Sequence, residues 1–109
     1  MNMILNTDSY KYSHFAQYPP GTKAISAYIE SRPGGMFPHV MFFGLQMFLK
    51  DYLAKGISMD DVDEADELVS AHGLPFNRPG WELLVKRHKG HLPLSIEALP
   101  EGIIVPSGT

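Results

Sequence analysis

With 109 residues, 44% of them hydrophobic and 11% aromatic, the chain has enough apolar material for one compact domain with a buried core. Nine Lys and Arg against twelve Asp and Glu give a net charge of −3, which leaves no general attraction for nucleic acid or an anionic membrane. The absence of cysteine excludes disulfides and thiolate metal sites and fits a reducing, cytoplasmic setting.

No apolar run approaches the roughly 20 residues of a membrane span, and the first residues lack the basic-then-apolar pattern of a secretion signal. A soluble protein is expected. Residues 1–6 read as a short apolar strand or extended arm, docked through Met3, Ile4 and Leu5. Thr7 and Asp8 then carry the side-chain oxygens that accept from the free N–H groups opening a helix, and residues 10–15 supply about one and a half turns before Pro19 and Pro20 stop it. Tyr10 falls in the first turn, where the dipole favours anions and Lys11 adds a charge. Two readings of Tyr10 stay open: a flat ring that stacks on a phosphate-bearing heterocycle, or a packing residue on a surface helix together with Tyr12 and Phe15.

Pro19-Pro20-Gly21 is a turn signature, and Lys23 to Arg32 alternates, with Ile25, Ala27 and Ile29 on one face, as a half-buried strand does. Arg32 closes that strand beside the Pro33-Gly34-Gly35 loop, a position from which a planar fork of donors can grip phosphate. After the apolar run Val40 to Phe43, Leu45, Phe48, Leu49, Tyr52 and Leu53 recur at helical spacing, with Gly56 as the stop and the aromatic stripe assigned to the core. A small Gly44 at its start would admit close backbone approach. Ser58 and Asp61 form a capping box ahead of a second helix with the stripe Val62, Ala65, Leu68, Val69, closing at His72-Gly73; its acidic face is assigned to solvent.

Pro79 marks the start of a third helix, preceded by Asn77 or Arg78, packing through Trp81 and running to Gly90, which separates His88 from His91 and argues against a shared zinc site. Leu94, Ile96 and Ala98 alternate as a strand, Pro100-Glu101-Gly102 turns, and Ile103-Ile104-Val105 opens another strand. That strand is cut short by the end of the chain, so the sequence reads as the front portion of a longer protein. Residues 1–109 are expected to form an α+β unit, about three helices packed on a small mixed or antiparallel sheet, with an apolar, aromatic-bearing surface left open. There is no P-loop, GxGxxG, HExxH or GxSxG motif, and so no self-contained catalytic constellation.

The segments Thr7-Asp8-Ser9-Tyr10-Lys11, Gln17-Tyr18-Pro19-Pro20, Phe43-Gly44-Leu45-Gln46, Gly80-Trp81, Gly90-His91-Leu92-Pro93, Pro100-Glu101-Gly102, Val105-Pro106 and Gly108 together resemble the N-terminal region of the nicotinamide phosphoribosyltransferase family. The resemblance implies the N-terminal part of a type II phosphoribosyltransferase whose barrel domain is not among these residues. It implies condensation of nicotinamide with phosphoribosyl pyrophosphate to nicotinamide mononucleotide and pyrophosphate in NAD salvage, by a cytoplasmic homodimer using Mg with the donor, and ATP. No cofactor is assigned to this segment itself. By the same resemblance Tyr10 reaches across the dimer to stack on nicotinamide, Arg32 of Glu30-Ser31-Arg32 holds pyrophosphate or phosphate, and Asp8 faces the ligand or supports groups that do.

Two departures stand out. The family commonly carries a longer charged insertion after Arg32, where here only Pro33 to His39 intervene, and the barrel with its phosphate contacts and phosphorylated histidine has no counterpart. A non-catalytic binding or assembly module, and the sister activity on nicotinate, are the rival expectations.

Overall fold

The computed structural model describes all 109 residues. In chain order they form a 3-10 turn (Met3–Leu5), a 3-10 helix (Ser9–Gln17), strand β1 (His39–Met41), helix α1 (Leu45–Phe48) running on as a π-helical turn (Leu49–Leu53), helix α2 (Met59–Ala71), helix α3 (Arg78–His88) and strand β2 (Ile104–Pro106). The fold is α+β, as expected. Its sheet is the antiparallel pair β1–β2, with Val40 opposite Val105. No helix is long and apolar enough to cross a membrane.

The helices α2 and α3 form where local chemistry and burial agree. Ser58 Oγ accepts from the Asp61 N–H at 3.2 Å while the Asp61 carboxylate accepts from the Ser58 N–H at 2.9 Å, which completes the capping box. Val62, Ala65 and Val69 are then buried on one stripe, and Leu68 stays open to solvent. Asn77 takes the capping position of α3, its Oδ1 accepting from the Gly80 N–H at 3.2 Å, and Pro79 sits in the first turn, where no amide hydrogen is needed. Lys89 and Gly90, both at positive φ, end the helix. The core joins Ile4, Ile57, Val62, Ala65 and Leu84, with Phe76, Trp81 and Val85 packed against it.

Gly90 does more than stop α3. It is buried, and its carbonyl accepts from the Ile57 N–H at 2.8 Å, tying the entry to α2 to the exit of α3. A Cβ at this position would run into the Ile57 backbone.

Several expected elements differ. Residues 1–6 dock as a 3-10 turn rather than a strand, because the Asn2 side chain caps the Ile4 N–H at 3.0 Å and curls the backbone while Ile4 is buried. Residues 23–32 and 94–98 join no ladder. Alternation marks a face that needs covering, and nothing in these residues covers it: Ile29 is fully exposed and Ile96 half-exposed. The stripe on α1 and its π-helical extension is half-buried at Leu45, Leu49, Tyr52 and Leu53 and exposed at Phe48, which stacks at a tilt on Tyr52 with ring centres 4.8 Å apart. Gly44 makes no close backbone approach; it is needed for its φ of 105°.

The acidic face of α2 is not wholly left to water. Arg78 donates to Asp63 (2.6 Å), Asp66 (3.0 Å) and, one turn along its own helix, Glu82 (2.8 Å), which also pairs with Lys86. The three carboxylates hold the guanidinium firmly protonated, and the bond from Arg78, then that from Lys86, lowers the Glu82 carboxyl below its ordinary value. This cluster straps α2 to α3.

Candidate functional site

Tyr10 lies in the first turn of the 3-10 helix that follows Asp8. The residue is 59% exposed, its ring flanked by His14 with ring centres 5.5 Å apart and by Lys11, whose Nζ stands 5.9 Å from the ring centre. The same helix turns Tyr12 inward, where burial pushes its phenol pKa up. An apolar cleft of about 270 Å³ opens there between Tyr12, Phe15, Phe76 and Trp81, with Lys11 at its polar edge. The helix thus leaves Tyr10 exposed and Tyr12 half-buried. Tyr12 packs against the core, and Tyr10 is exposed beside a cation, as an aromatic side chain open to stacking is.

Asp8 occupies the capping position of this helix, but its side chain makes no capping bond, which corrects the reading of Asp8 as a side-chain cap. The Asp8 carbonyl accepts from the Lys11 N–H at 3.0 Å, and its carboxylate, well exposed, stands 3.8 Å from Lys11 Nζ. A tight 3-10 turn closes through backbone bonds three residues apart, which leaves the carboxylate to Lys11. Such an exposed pair is weak.

Arg32 stands elsewhere in the chain, exposed, with no ion pair to its side chain and no hydrogen bond to the Asp8–Tyr10–Lys11 group. Its carbonyl accepts from Ser107 Oγ at 3.0 Å, so the loop after it is fastened to the end of β2. Tyr10 with Asp8 and Lys11 forms one local cluster, and Arg32 stands apart from it.

Glu101 was legible only as a turn residue. In the structure its carboxylate accepts from the Gly44 N–H (2.8 Å) and the Gln46 N–H (2.9 Å), capping the start of α1 across 55–57 residues of sequence. Those two bonds, the Gln46 one first, hold its carboxyl below the ordinary value. The signal was present as two segments, Phe43–Gln46 and Pro100–Gly102, each carrying the family resemblance; what sequence could not supply was that they touch.

The carboxylates that converge do so on Arg78, which fills the place of a cation, and no group of three His, Asp or Glu side chains is arranged to hold a metal ion. These residues do not fit a Mg site.

The fold and site define an α+β domain that presents an aromatic side chain and an arginine on its surface. Residues 2–96 match the family model described as nicotinamide phosphoribosyltransferase, N-terminal domain. The chain belongs to that family. It is 51% identical over 106 residues to a nicotinamide phosphoribosyltransferase of Xanthomonas campestris pv. campestris (strain 8004), covering 97% of this chain and 22% of that protein. It is 31% identical over 117 aligned positions to a nicotinamide phosphoribosyltransferase of Acinetobacter baylyi (strain ATCC 33305 / BD413 / ADP1), covering 94% of this chain and 23% of that protein. The chain therefore spans under a quarter of the length of these relatives.

Proposed function

We propose that residues 1–109 act as the N-terminal domain of a pentosyltransferase that joins nicotinamide to phosphoribosyl pyrophosphate, in a homodimer whose active sites are composite. The exposed, cation-flanked ring of Tyr10 is the observation that carries this assignment. In the reaction the bond from the ribosyl C1 to the pyrophosphate oxygen breaks and a bond from C1 to the pyridine nitrogen forms, with pyrophosphate leaving. Tyr10 stacks on the base and holds its nitrogen in line, Arg32 meets the negative charge of the donor, and Asp8 faces the ligand beside Lys11; the contribution is positioning and electrostatics. Mg would arrive with the donor and ATP would be used outside this domain, a reading supported by the commitment of the one converging carboxylate group, Asp63, Asp66 and Glu82, to Arg78. The names of both relatives support nicotinamide over nicotinate as the base.

The test is complementation in the full-length enzyme. A Tyr10→Ala subunit is mixed with a subunit disabled in its own barrel; the heterodimer assembles one site from the barrel of the first and the Tyr10 of the second. Partial recovery of nicotinamide mononucleotide synthesis is expected. No recovery, with heterodimer formation verified, removes Tyr10 from the partner's site. Alone, Tyr10→Ala is expected to weaken nicotinamide use by about 1–3 kcal/mol, the scale of aromatic stacking on a base, with little change in stability, whereas Tyr10→Phe keeps most activity.

A further inference from the structure

One residue closes both ends of the short loop that follows Arg32. The Ser107 N–H donates to the Pro38 carbonyl at 2.9 Å, continuing the β1–β2 ladder, and the Ser107 hydroxyl donates to the Arg32 carbonyl at 3.0 Å. Ser31 answers from the other side: its N–H donates to the Thr109 carbonyl at 3.1 Å and its Oγ accepts from the Gly108 N–H at 2.9 Å. The backbone is thus anchored on each side of the Arg32 Cα. Pro33 adds a further restriction, since a residue before proline is driven to extended geometry. The Arg32 side chain, by contrast, is exposed and unpaired. A free guanidinium on a fixed backbone is the arrangement a phosphate-gripping fork needs, and a packing arginine does not need it.

We propose that Ser107, with Ser31 opposite it, positions Arg32 for the phosphate groups of the phosphoribosyl donor, an inference that rests on the phosphate role given to Arg32 above. The bonds lie in exposed positions, so each adds little to folding. Their loss is felt as a wandering Arg32. Only a hydroxyl is required at position 107, so threonine serves where alanine does not.

The experiment uses the full-length enzyme with phosphoribosyl pyrophosphate and nicotinamide varied separately. Ser107→Ala is expected to raise KM for the donor about three- to tenfold, the effect of one hydrogen bond and a misplaced arginine, with KM for nicotinamide and the melting temperature unchanged. Ser107→Thr restores the donor KM, and in an Arg32→Ala background Ser107→Ala adds nothing further. If Arg32→Ala itself leaves the donor KM unchanged, the phosphate role of Arg32 falls and the positioning role falls with it. If Arg32→Ala raises the donor KM while Ser107→Ala does not, only the positioning role is overturned. It is overturned equally if Ser107→Ala raises both KM values, lowers the melting temperature and acts undiminished without Arg32.

Discussion

The helical half of the molecule, residues 1–17 and 57–92, and the strand half, residues 18–56 and 93–109, are built by different means from similar raw material. All seven buried residues belong to the helical half. In the strand half Ile25, Tyr28, Ile29, Phe37, Phe43 and Leu94 are all exposed, and order comes from hydrogen bonds: the β1–β2 ladder, the Glu101 cap on α1 and the Ser107 closure of the Arg32 loop. The difference lies in who supplies the partner. Apolar stripes on α2 and α3 meet each other within the chain, whereas the alternating faces at 23–32 and 94–98 face outward. Apolar surface of that extent calls for a covering surface, so the purified chain is expected to self-associate or bind hydrophobic dyes; a strictly monomeric chain with low dye binding would break the comparison at its root.

The largest effects are expected in the helical half. Gly90→Ala places a Cβ against the Ile57 backbone at a left-handed φ, and summing strain and overpacking gives a loss above about 3 kcal/mol, enough to prevent folding of a marginal domain. Leu84→Ala should cost about 2–5 kcal/mol by opening a cavity in the core. Ile29→Ala in the strand half should cost less than about 0.5 kcal/mol, because Ile29 is already in water. Urea denaturation of the three variants checks the ranking, and an Ile29 effect equal to that of Leu84 would erase the distinction.

How far each half was legible in the sequence follows the same line. The capping box, the Val62–Ala65–Val69 stripe, the Pro79 start and Gly90 stop of α3, the turn at 100–102 and the strand at Ile104 were all readable, since each depends on residues within a few positions or on a stripe that finds its partner locally. The strands expected at 23–32 and 94–98 were not formed. Periodicity records a face meant for burial, and says nothing of whether its cover lies in the same stretch of chain. Of the site, the sequence left Tyr10 open between stacking and packing with Tyr12 and Phe15, and the structure adds that Tyr10 is exposed while Tyr12 is half-buried. The Arg78 strap and the Ser31–Ser107 pair gave little warning, because a lone arginine and two serines gain meaning only from neighbours 12 to 78 residues away.

Smaller effects sharpen the boundary between the halves. Ser58→Ala removes one arm of the capping box and should cost about 1 kcal/mol, seen as a lower urea midpoint and earlier fraying at the start of α2. An aspartate or threonine at position 58 should recover most of it.

The smallest effect on folding, and the most local, is expected at Glu101. Its two carboxylate oxygens accept from Gln46 and Gly44, so the folded state favours the ionised form and its carboxyl titrates below the ordinary 4.5. A depressed folded value means that the stabilising contribution is fully present above the unfolded value and is lost as the pH falls through the folded one. Between neutral pH and 4.5 the cap should be intact, and it should release only in more acid solution. Nuclear magnetic resonance can follow this directly, as the amide proton shifts of Gly44 and Gln46 should move together with the depressed titration of Glu101. Glu101→Gln should abolish that titration by removing the ionisable group, and should weaken the cap, because one acceptor oxygen becomes an NH2 group facing an amide hydrogen. The start of α1 and the corner before β2 should then loosen together. The urea midpoint of the helical half should not move, since Glu101 touches none of its core. If the midpoint falls as far as it does for Leu84→Ala, the two halves unfold as one unit and the strand half is stabilised by more than its hydrogen bonds.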